Sequence, residues 1–219
     1  MNSQPPGNGN GVKAPKARRG PRRSLASAGR LPGIARVISK FGAPFGKRFT
    51  RNHFELLRLA YLGFVGLKRS APLIREHGAN IFTQWTGDPD AFGSAIMLEG
   101  ILRKLGAEHV RILTGALGHP QNVQMAKVCG IEFFHPNEGR IDGGLACMVD
   151  ASPPLGARNT SGVLPERDFF FVADHHTGAE EVERQSKEKG VRSIRHAFVG
   201  LPVGSTSAFM ASIGLAFGV

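Results

Sequence analysis

Residues 168–176 have the sequence DFFFVADHH, in which five consecutive apolar residues lead to Asp174, His175 and His176. A continuous apolar run of this length is typical of a strand that is buried on both faces, as the strands of parallel sheets are. The polar triplet stands where this strand ends. Because ligands of open parallel sheets bind beyond the carboxyl ends of the strands, the pattern predicts a functional site directly after the strand.

Short apolar segments alternate with helical patterns on both sides of this stretch. We predict strands at 80–85, 110–113, 131–134, 145–149, 168–173 and 195–199. Helices are predicted at 53–76 with a break near Pro72, at 90–105, 121–129 and 180–189, and from an N-cap at Ser205 to the end of the chain. This order predicts an α/β fold, a doubly wound and mostly parallel sheet flanked by helices.

The charge of the chain is concentrated at its beginning. The chain has 219 residues, of which 41% are hydrophobic, so it can bury a core and wholesale disorder is excluded. Its net charge is +11, and residues 1–50 contain 11 basic and no acidic residues. Residues 51–219 are therefore neutral. Residues 1–50 are also rich in Gly, Pro and Arg, which predicts a disordered basic tail before one domain at 51–219.

Three roles stay open for the tail: a solvated segment without a specific role, a nonspecific arm for RNA or DNA phosphates, or a targeting segment. The sequence contains no run of the ~20 apolar residues that a membrane span needs, so no membrane partner is expected. Two cysteines, Cys129 and Cys147, are too few for a disulfide-stapled secreted domain. We therefore expect a cytoplasmic protein.

Carboxylates and imidazoles follow three of the predicted strands. Asp88 and Asp90 come after the first strand, Asp150 after the fourth, and His175 and His176 after the fifth. Mixed carboxylate and imidazole ligands suit Mn²⁺, Fe²⁺ or Zn²⁺ better than Ca²⁺. Each group alone is equally consistent with a helix cap or a turn. Their common position at strand ends favours a metal site.

These residues together resemble the motifs of the DHH phosphoesterase superfamily. That superfamily includes RecJ-type exonucleases, nano-RNA and phosphoadenosine-phosphate hydrolases, and cyclic-dinucleotide phosphodiesterases. The first motif is GDPDAFGSA at 87–95, the second is Asp150 after its apolar strand, and the third is DHH at 174–176. The segments GHPQN at 118–122 and GSTS at 204–207 resemble further family segments. The resemblance extends from about residue 54 to the end and implies the family's N-terminal domain.

The resemblance implies a two-metal phosphoesterase, with Mn²⁺ as the expected ion and Mg²⁺, Co²⁺ or Fe²⁺ as alternatives. Asp88 would bind the first ion, Asp90 and His175 would bind the second, and Asp150 would bridge the two. His176 would face the scissile phosphate and act in catalysis with Asp150. A water activated by both ions would attack phosphorus in line. The implied substrates are nucleotides or short oligonucleotides.

Four further positions surround these ligands. The resemblance implies that Asp174 orients a histidine of the site through a hydrogen bond. His119 and Asn122 are candidate substrate contacts, and a role at a helix start is equally compatible with them. Gln84 stands four residues before the first Asp, where the family usually has a His, and would be a weaker metal ligand. For Trp85, packing beside the site is favoured over stacking on a base.

The chain also departs from the family at its end. We expect the DHH-associated C-terminal domain, which contacts substrate in the family, and one ligand of the second metal to be absent. The last helix is apolar on nearly every side, which predicts association into a homo-oligomer. Two alternatives to an active phosphoesterase therefore remain: a catalytically weak or inactive nucleotide- or RNA-binding module, and a fragment of a longer two-domain enzyme.

Overall fold

A parallel sheet forms the centre of the fold in the computed structural model, which describes residues 51–117, 119–152, 168–176 and 193–219 together with Glu180, Arg184 and Glu188. Its strands are β1 (Ala79–Phe82), β2 (Val110–Leu113), β3 (Phe133–Phe134), β4 (Leu145–Val149), β5 (Asp168–Asp174) and β6 (Ser193–Val199). They lie in the order β3-β2-β1-β4-β5-β6, and every neighbouring pair is parallel. The predicted doubly wound α/β fold is confirmed.

The described helices are α1 (Arg51–Arg69), α2 (Ala71–His77), α3 (Pro89–Lys104), α4 (Pro120–Cys129) and α5 (Thr206–Phe217). The first helical segment breaks before Pro72, as predicted. Ser205 caps α5, because its hydroxyl accepts the backbone N–H of Ala208 at 3.2 Å. Of the helix predicted at 180–189, only three residues are described, and they are helical. The tail predicted at 1–50 lies outside the described residues.

The direction in which the sheet grows reverses beside β1. The chain proceeds from β1 outward to β2 and β3, and then returns to place β4 on the opposite side of β1. At such a reversal the connections on the two sides lead away from each other, which leaves a crevice at the carboxyl ends of the strands. Asp88 and Asp150 follow β1 and β4, the two strands that border this crevice.

Apolar side chains cover both faces of the sheet. On one face, strand residues such as Ile81, Cys147 and Phe171 pack with residues of α1, α2, α3 and α5. The alternate strand residues, including Phe82 and Met148, form a second buried cluster on the other face. Burial on both faces explains why the strands have continuous apolar sequences rather than alternating ones.

The last helix, α5, is largely covered by its neighbours. Phe209, Met210 and Ile213 are fully buried in the core that α5 shares with α1 and α3, whereas Leu215 is 57% exposed. Leu215 and the smaller Ala208 are thus apolar residues of this helix that face outward. The homo-oligomer stays a prediction. In the described part of the chain, no helix has both the length and the apolar character needed to cross a bilayer.

A histidine on β6 is packed against the first helix. The Nε2 atom of His196 lies 3.2 Å from the Ser70 hydroxyl, and its ring stands edge-on to Phe170 at a centroid distance of 5.2 Å. Gly66 of α1 lies so close that a Cβ there would come within 2.9 Å of Nδ1 of His196. This burial, together with the charge of Arg195, lowers the pKa of His196.

We expect acid to destabilise the protein through His196. The unfolded chain binds a proton at the ordinary histidine pKa of about 6.5, whereas the folded chain resists protonation until a lower pH. The contribution of His196 to the free energy of unfolding is therefore present above about pH 6.5 and is lost as the pH falls through the lowered pKa. When the pH is lowered from about 7.5 to 5.5, the free energy of unfolding measured in urea should fall less for His196→Gln than for the unchanged protein. An equal fall in the free energy of unfolding of both proteins would contradict the lowered pKa of His196.

Candidate metal centre

Asp88 begins the helix that follows β1. Its Oδ1 accepts the backbone N–H groups of Asp90 at 2.9 Å and Ala91 at 3.0 Å, which is the hydrogen-bonding pattern of an N-cap. Pro89 at the first helical position fits this start, because its missing N–H has no partner to find there. The side chain of Asp88 is thus both exposed and fixed in direction at the edge of the crevice.

Asp90 faces the start of α5. Its Oδ2 accepts the backbone N–H of Thr206 at 2.9 Å, and its Oδ1 accepts that of Ser207 at 2.8 Å. A helix N-terminus favours an anion at this position. Burial opposes the ionised form, but the hydrogen bonds from Ser207 and Thr206 outweigh it, so the pKa of Asp90 is lowered. Asp90 is therefore a carboxylate at neutral pH.

Asp150 is a buried acid at the end of β4. It directly follows β4, is 2% exposed, and has a positive φ of 57°, while its N–H donates to the Ala173 carbonyl at 2.8 Å. Its Oδ1 accepts the Thr206 hydroxyl at 2.9 Å, and its buried Oδ2 meets no hydrogen-bond donor among the described residues. Burial, followed by the charges of Asp90 and Asp88, raises the pKa of Asp150 to about 7.

Asp174, fully buried at the end of β5, holds His176. Its Oδ2 accepts the Ser152 hydroxyl at 2.6 Å, and its Oδ1 accepts the backbone N–H of His176 at 3.1 Å. The same Oδ1 lies 2.9 Å from Nδ1 of the His176 ring. Burial opposes the charged form of His176, but the bond to Asp174 and the charge of Asp150 outweigh it, so the pKa of His176 is raised.

The two histidines bring these acids into one cluster. The Nε2 atom of His175 lies 3.5 Å from Oδ2 of Asp90 and 3.5 Å from Oδ1 of Asp150. Nδ1 of His176 lies 3.8 Å from the same Asp150 oxygen. One ligand atom from each of Asp150, His175 and His176 can be chosen so that all three lie within 4.8 Å of one another. Residues from the ends of β4 and β5 therefore form a group that can hold a divalent cation.

The donor set of this cluster fits a metal ion. The Oδ2 of Asp150 is a buried oxygen that has no hydrogen-bond donor in the described part of the chain, and such an atom destabilises the fold. A cation beside Asp150 would supply the missing partner and would offset the repulsion from Asp90. Oxygen and imidazole-nitrogen ligands together suit Mn²⁺, Fe²⁺ and Zn²⁺.

The remaining predicted site residues lie around the loop that follows β1. Gln84 is half-buried, and its described hydrogen bonds use its backbone carbonyl, which accepts from the N–H of Gly87 at 3.1 Å and from the Thr83 hydroxyl at 3.1 Å. His119 is exposed at the start of α4. Asn122 is fully buried, and its Nδ2 donates to the Gly87 carbonyl. Through this hydrogen bond, Asn122 holds in place the loop that contains Asp88.

Two hydroxyl residues complete the cluster without having been predicted as part of it. Thr206 bonds to Asp90 through its N–H and to Asp150 through its hydroxyl, and Ser152 bonds to Asp174. The sequence predicts a helix start at 204–207 but not its position beside acids that lie more than 50 residues away. For Ser152, the only feature of the sequence that could have indicated a place in the cluster is its position two residues after Asp150.

Neither a protein-family model nor a curated protein matches the chain. The resemblance to the DHH phosphoesterases therefore rests on the motif residues themselves and stays a prediction.

We expect Thr206→Val to weaken metal binding by about 10- to 100-fold, because the valine keeps the volume of Thr206 but cannot donate to Asp150. Loss of this bond should also lower the free energy of unfolding by about 1–3 kcal/mol. Thr206→Ser keeps the hydroxyl and serves as the matched control. Titration with Mn²⁺, followed by the electron paramagnetic resonance of the free ion, measures the affinity. An affinity for Thr206→Val equal to that of Thr206→Ser would contradict this role.

Proposed function

We propose that the chain is a metal-dependent phosphoesterase that hydrolyses phosphodiester or phosphomonoester bonds in nucleotides or short oligonucleotides, with two Mn²⁺ ions as the expected cofactor. The observation that carries the proposal is the convergence of Asp90, Asp150, His175 and His176 at the carboxyl ends of the strands, beside the reversal of the sheet. The same residues carry the DHH-like motif pattern, which supports the phosphoester substrate class.

The charge of the cluster supports a requirement for metal. Asp88, Asp90 and Asp150 lie close enough for the first two to raise the pKa of the third, so a phosphate would meet several negative charges there. Bound divalent ions supply positive charge to the phosphoryl oxygens and activate water for attack. Without such ions, the cluster should repel the substrate rather than bind it.

Each residue has a distinct part in this proposal. Asp90, kept ionised by α5, and His175, which lies beside it, hold a cation together with Asp150. Asp150 must release its proton to do so, because its pKa lies near 7. Asp174 is hydrogen-bonded to Nδ1 of His176. The other ring nitrogen, Nε2, is then available on this half-exposed ring to donate a proton to the leaving oxygen.

The proposal includes a cytoplasmic location, which is favoured by the free thiols of Cys129 and Cys147.

A turnover assay tests the proposal with a dinucleotide as the phosphodiester and a mononucleotide as the phosphomonoester. We expect hydrolysis of at least one of them with Mn²⁺ and none with EDTA. His175→Ala should abolish this turnover, whereas Asp142→Asn should preserve it, because Asp142 is exposed in the segment before β4, away from the carboxyl ends of the strands. Activity in EDTA, full activity of His175→Ala, or nucleotide binding without any turnover would overturn the enzyme proposal. The last result would favour a binding module.

A further inference from the structure

Trp85 is the only tryptophan of the chain and is held in the loop between β1 and the metal cluster. Its carbonyl accepts the N–H of Ala116 at 2.9 Å and the Thr114 hydroxyl at 3.4 Å. The six-membered ring of the indole lies directly against Gly115, where a Cβ would come within 1.8 Å of Cε3. Trp85 nevertheless remains only half-buried. A large aromatic ring is thus fixed on one side and partly open to solvent.

A second ring stands beside it. His135 directly follows β3 and meets Trp85 edge-on, with a centroid distance of 5.4 Å and an interplanar angle of 89°. The carbonyl of His135 accepts the N–H groups of Glu138 and Gly139, both at 3.0 Å, and its Nδ1 accepts that of Asn137 at 3.3 Å. Both rings are therefore held in place by their own loops before any ligand arrives, which reduces the entropy lost on binding.

The ring pair lies at the same edge of the sheet as the metal cluster. Trp85 and His135 follow β1 and β3, while Asp150 and His175 follow β4 and β5 on the other side of the reversal. Trp85 and Asp88 are only three residues apart, so their Cα atoms are separated by at most about 11 Å. This upper limit is short enough for one nucleotide to contact both residues.

We propose that Trp85 and His135 form a nucleobase subsite of the metal centre, in which the base of a nucleotide stacks on the indole while its phosphate lies at the acidic cluster. The position of the phosphate rests on the function proposed above. Stacking on an aromatic ring accepts any base, because every base has a π-face. The subsite therefore selects nucleotides over sugar phosphates without selecting one base. If Trp85 served only to pack against its neighbours, its indole would also be fixed, but the protein would show no preference for nucleotides over sugar phosphates.

Adenosine 5′-monophosphate and ribose 5-phosphate test the subsite, because they share a sugar phosphate and differ in the base. In the presence of Mg²⁺, calorimetry should give an affinity about tenfold or more higher for the nucleotide. Because the chain has a single tryptophan, its fluorescence reports on Trp85 alone. The nucleotide should quench this fluorescence, and ribose 5-phosphate should leave it unchanged.

Variants separate stacking from packing. Trp85→Phe should keep the preference for the nucleotide, and Trp85→Leu should bring the two affinities to within about twofold of each other. Gly115→Ala keeps the indole but displaces it, so it should also reduce the preference, even if Trp85→Leu fails to fold. An unchanged preference in Gly115→Ala or in folded Trp85→Leu, or equal affinities in the unchanged protein, would overturn the subsite.

The same titrations distinguish this failure from failure of the proposed function. If only the subsite is wrong, both ligands bind equally well and both need Mg²⁺. If the metal-dependent function is wrong, ribose 5-phosphate does not bind, and any binding of the nucleotide is unaffected by EDTA.

Discussion

An Asp150→Asn variant is expected to unfold at a higher urea concentration than the unchanged protein at about pH 8 in the absence of metal, and to lose metal-dependent turnover by about a hundredfold or more. The loss of turnover is expected because Asp150 would be a charged ligand in the proposed metal centre. Changes even of residues that only orient metal ligands lower activity by about 10- to 100-fold. The gain in stability follows from the burial of Asp150, whose Oδ2 has no hydrogen-bond donor among the residues that the structure describes.

The sign of the stability effect depends on pH. The pKa of Asp150 in the folded chain is raised to about 7, whereas an aspartate in the unfolded chain has a pKa of about 3.9. Between these values the unfolded chain loses its proton and the folded chain keeps it. Ionisation of Asp150 therefore lowers the free energy of unfolding progressively as the pH rises from about 4 to about 7. Asparagine carries no charge. The excess free energy of unfolding of Asp150→Asn over the unchanged protein should therefore be small at about pH 4 and largest above about pH 7.

Asparagine is also the appropriate replacement for the backbone. Asp150 has a φ of 57°, and asparagine tolerates this left-handed conformation better than most residues do. Its Oδ1 can still accept the Thr206 hydroxyl. Asp142→Asn, at an exposed position, controls for the loss of one negative charge. Equal stability of Asp150→Asn and the unchanged protein at about pH 8 would mean that burial does not disfavour the Asp150 carboxylate.

Phe209→Ala should lower the free energy of unfolding by about 3–5 kcal/mol. Phe209 is fully buried on α5, and its ring lies 5.2 Å from that of Phe198 on β6, so truncation leaves a cavity between the helix and the sheet. Such a loss is a large part of the 5–15 kcal/mol that stabilises a typical domain. It should also weaken metal binding, because the start of α5 donates two N–H groups to Asp90.

Leu215→Ala is the matched control for Phe209→Ala, because Leu215 lies on the same helix and is 57% exposed. Its free energy of unfolding should stay within about 0.5 kcal/mol of that of the unchanged protein. Urea unfolding followed by circular dichroism measures both variants. A loss below about 1 kcal/mol for Phe209→Ala would show that α5 is not packed against β6 as described.

The sequence predicted most of the sheet, and the differences have local causes. The strands at 110–113 and 145–149 have the predicted bounds. The first strand was predicted to continue to Trp85 but ends at Phe82, because the chain turns there, with the N–H of Gly87 donating to the Gln84 carbonyl. The third strand was predicted from residue 131. It begins only at Phe133, because the N–H of Ile131 closes the end of α4.

The candidate site was predictable where it depends on strand ends. An acid or histidine directly after a parallel strand must lie at the carboxyl edge of the sheet. The structure places Asp150 and His175 there, with Oδ1 of Asp150 3.5 Å from Nε2 of His175. The role of Thr206 was not predictable, because it depends on how α5 packs across the sheet. The burial of Asn122 likewise depends on the direction in which α4 faces, which its short and weakly periodic sequence does not indicate.

Titration of the metal-free protein with Mn²⁺, with free ion followed by electron paramagnetic resonance, measures whether the acidic cluster is a metal centre. We predict saturable binding to the unchanged protein and to Asp142→Asn with the same affinity. Binding to Asp150→Asn should be weaker by about a hundredfold or more. Absence of saturable binding to the unchanged protein, or equal affinity in Asp150→Asn, would contradict a metal centre built on Asp150.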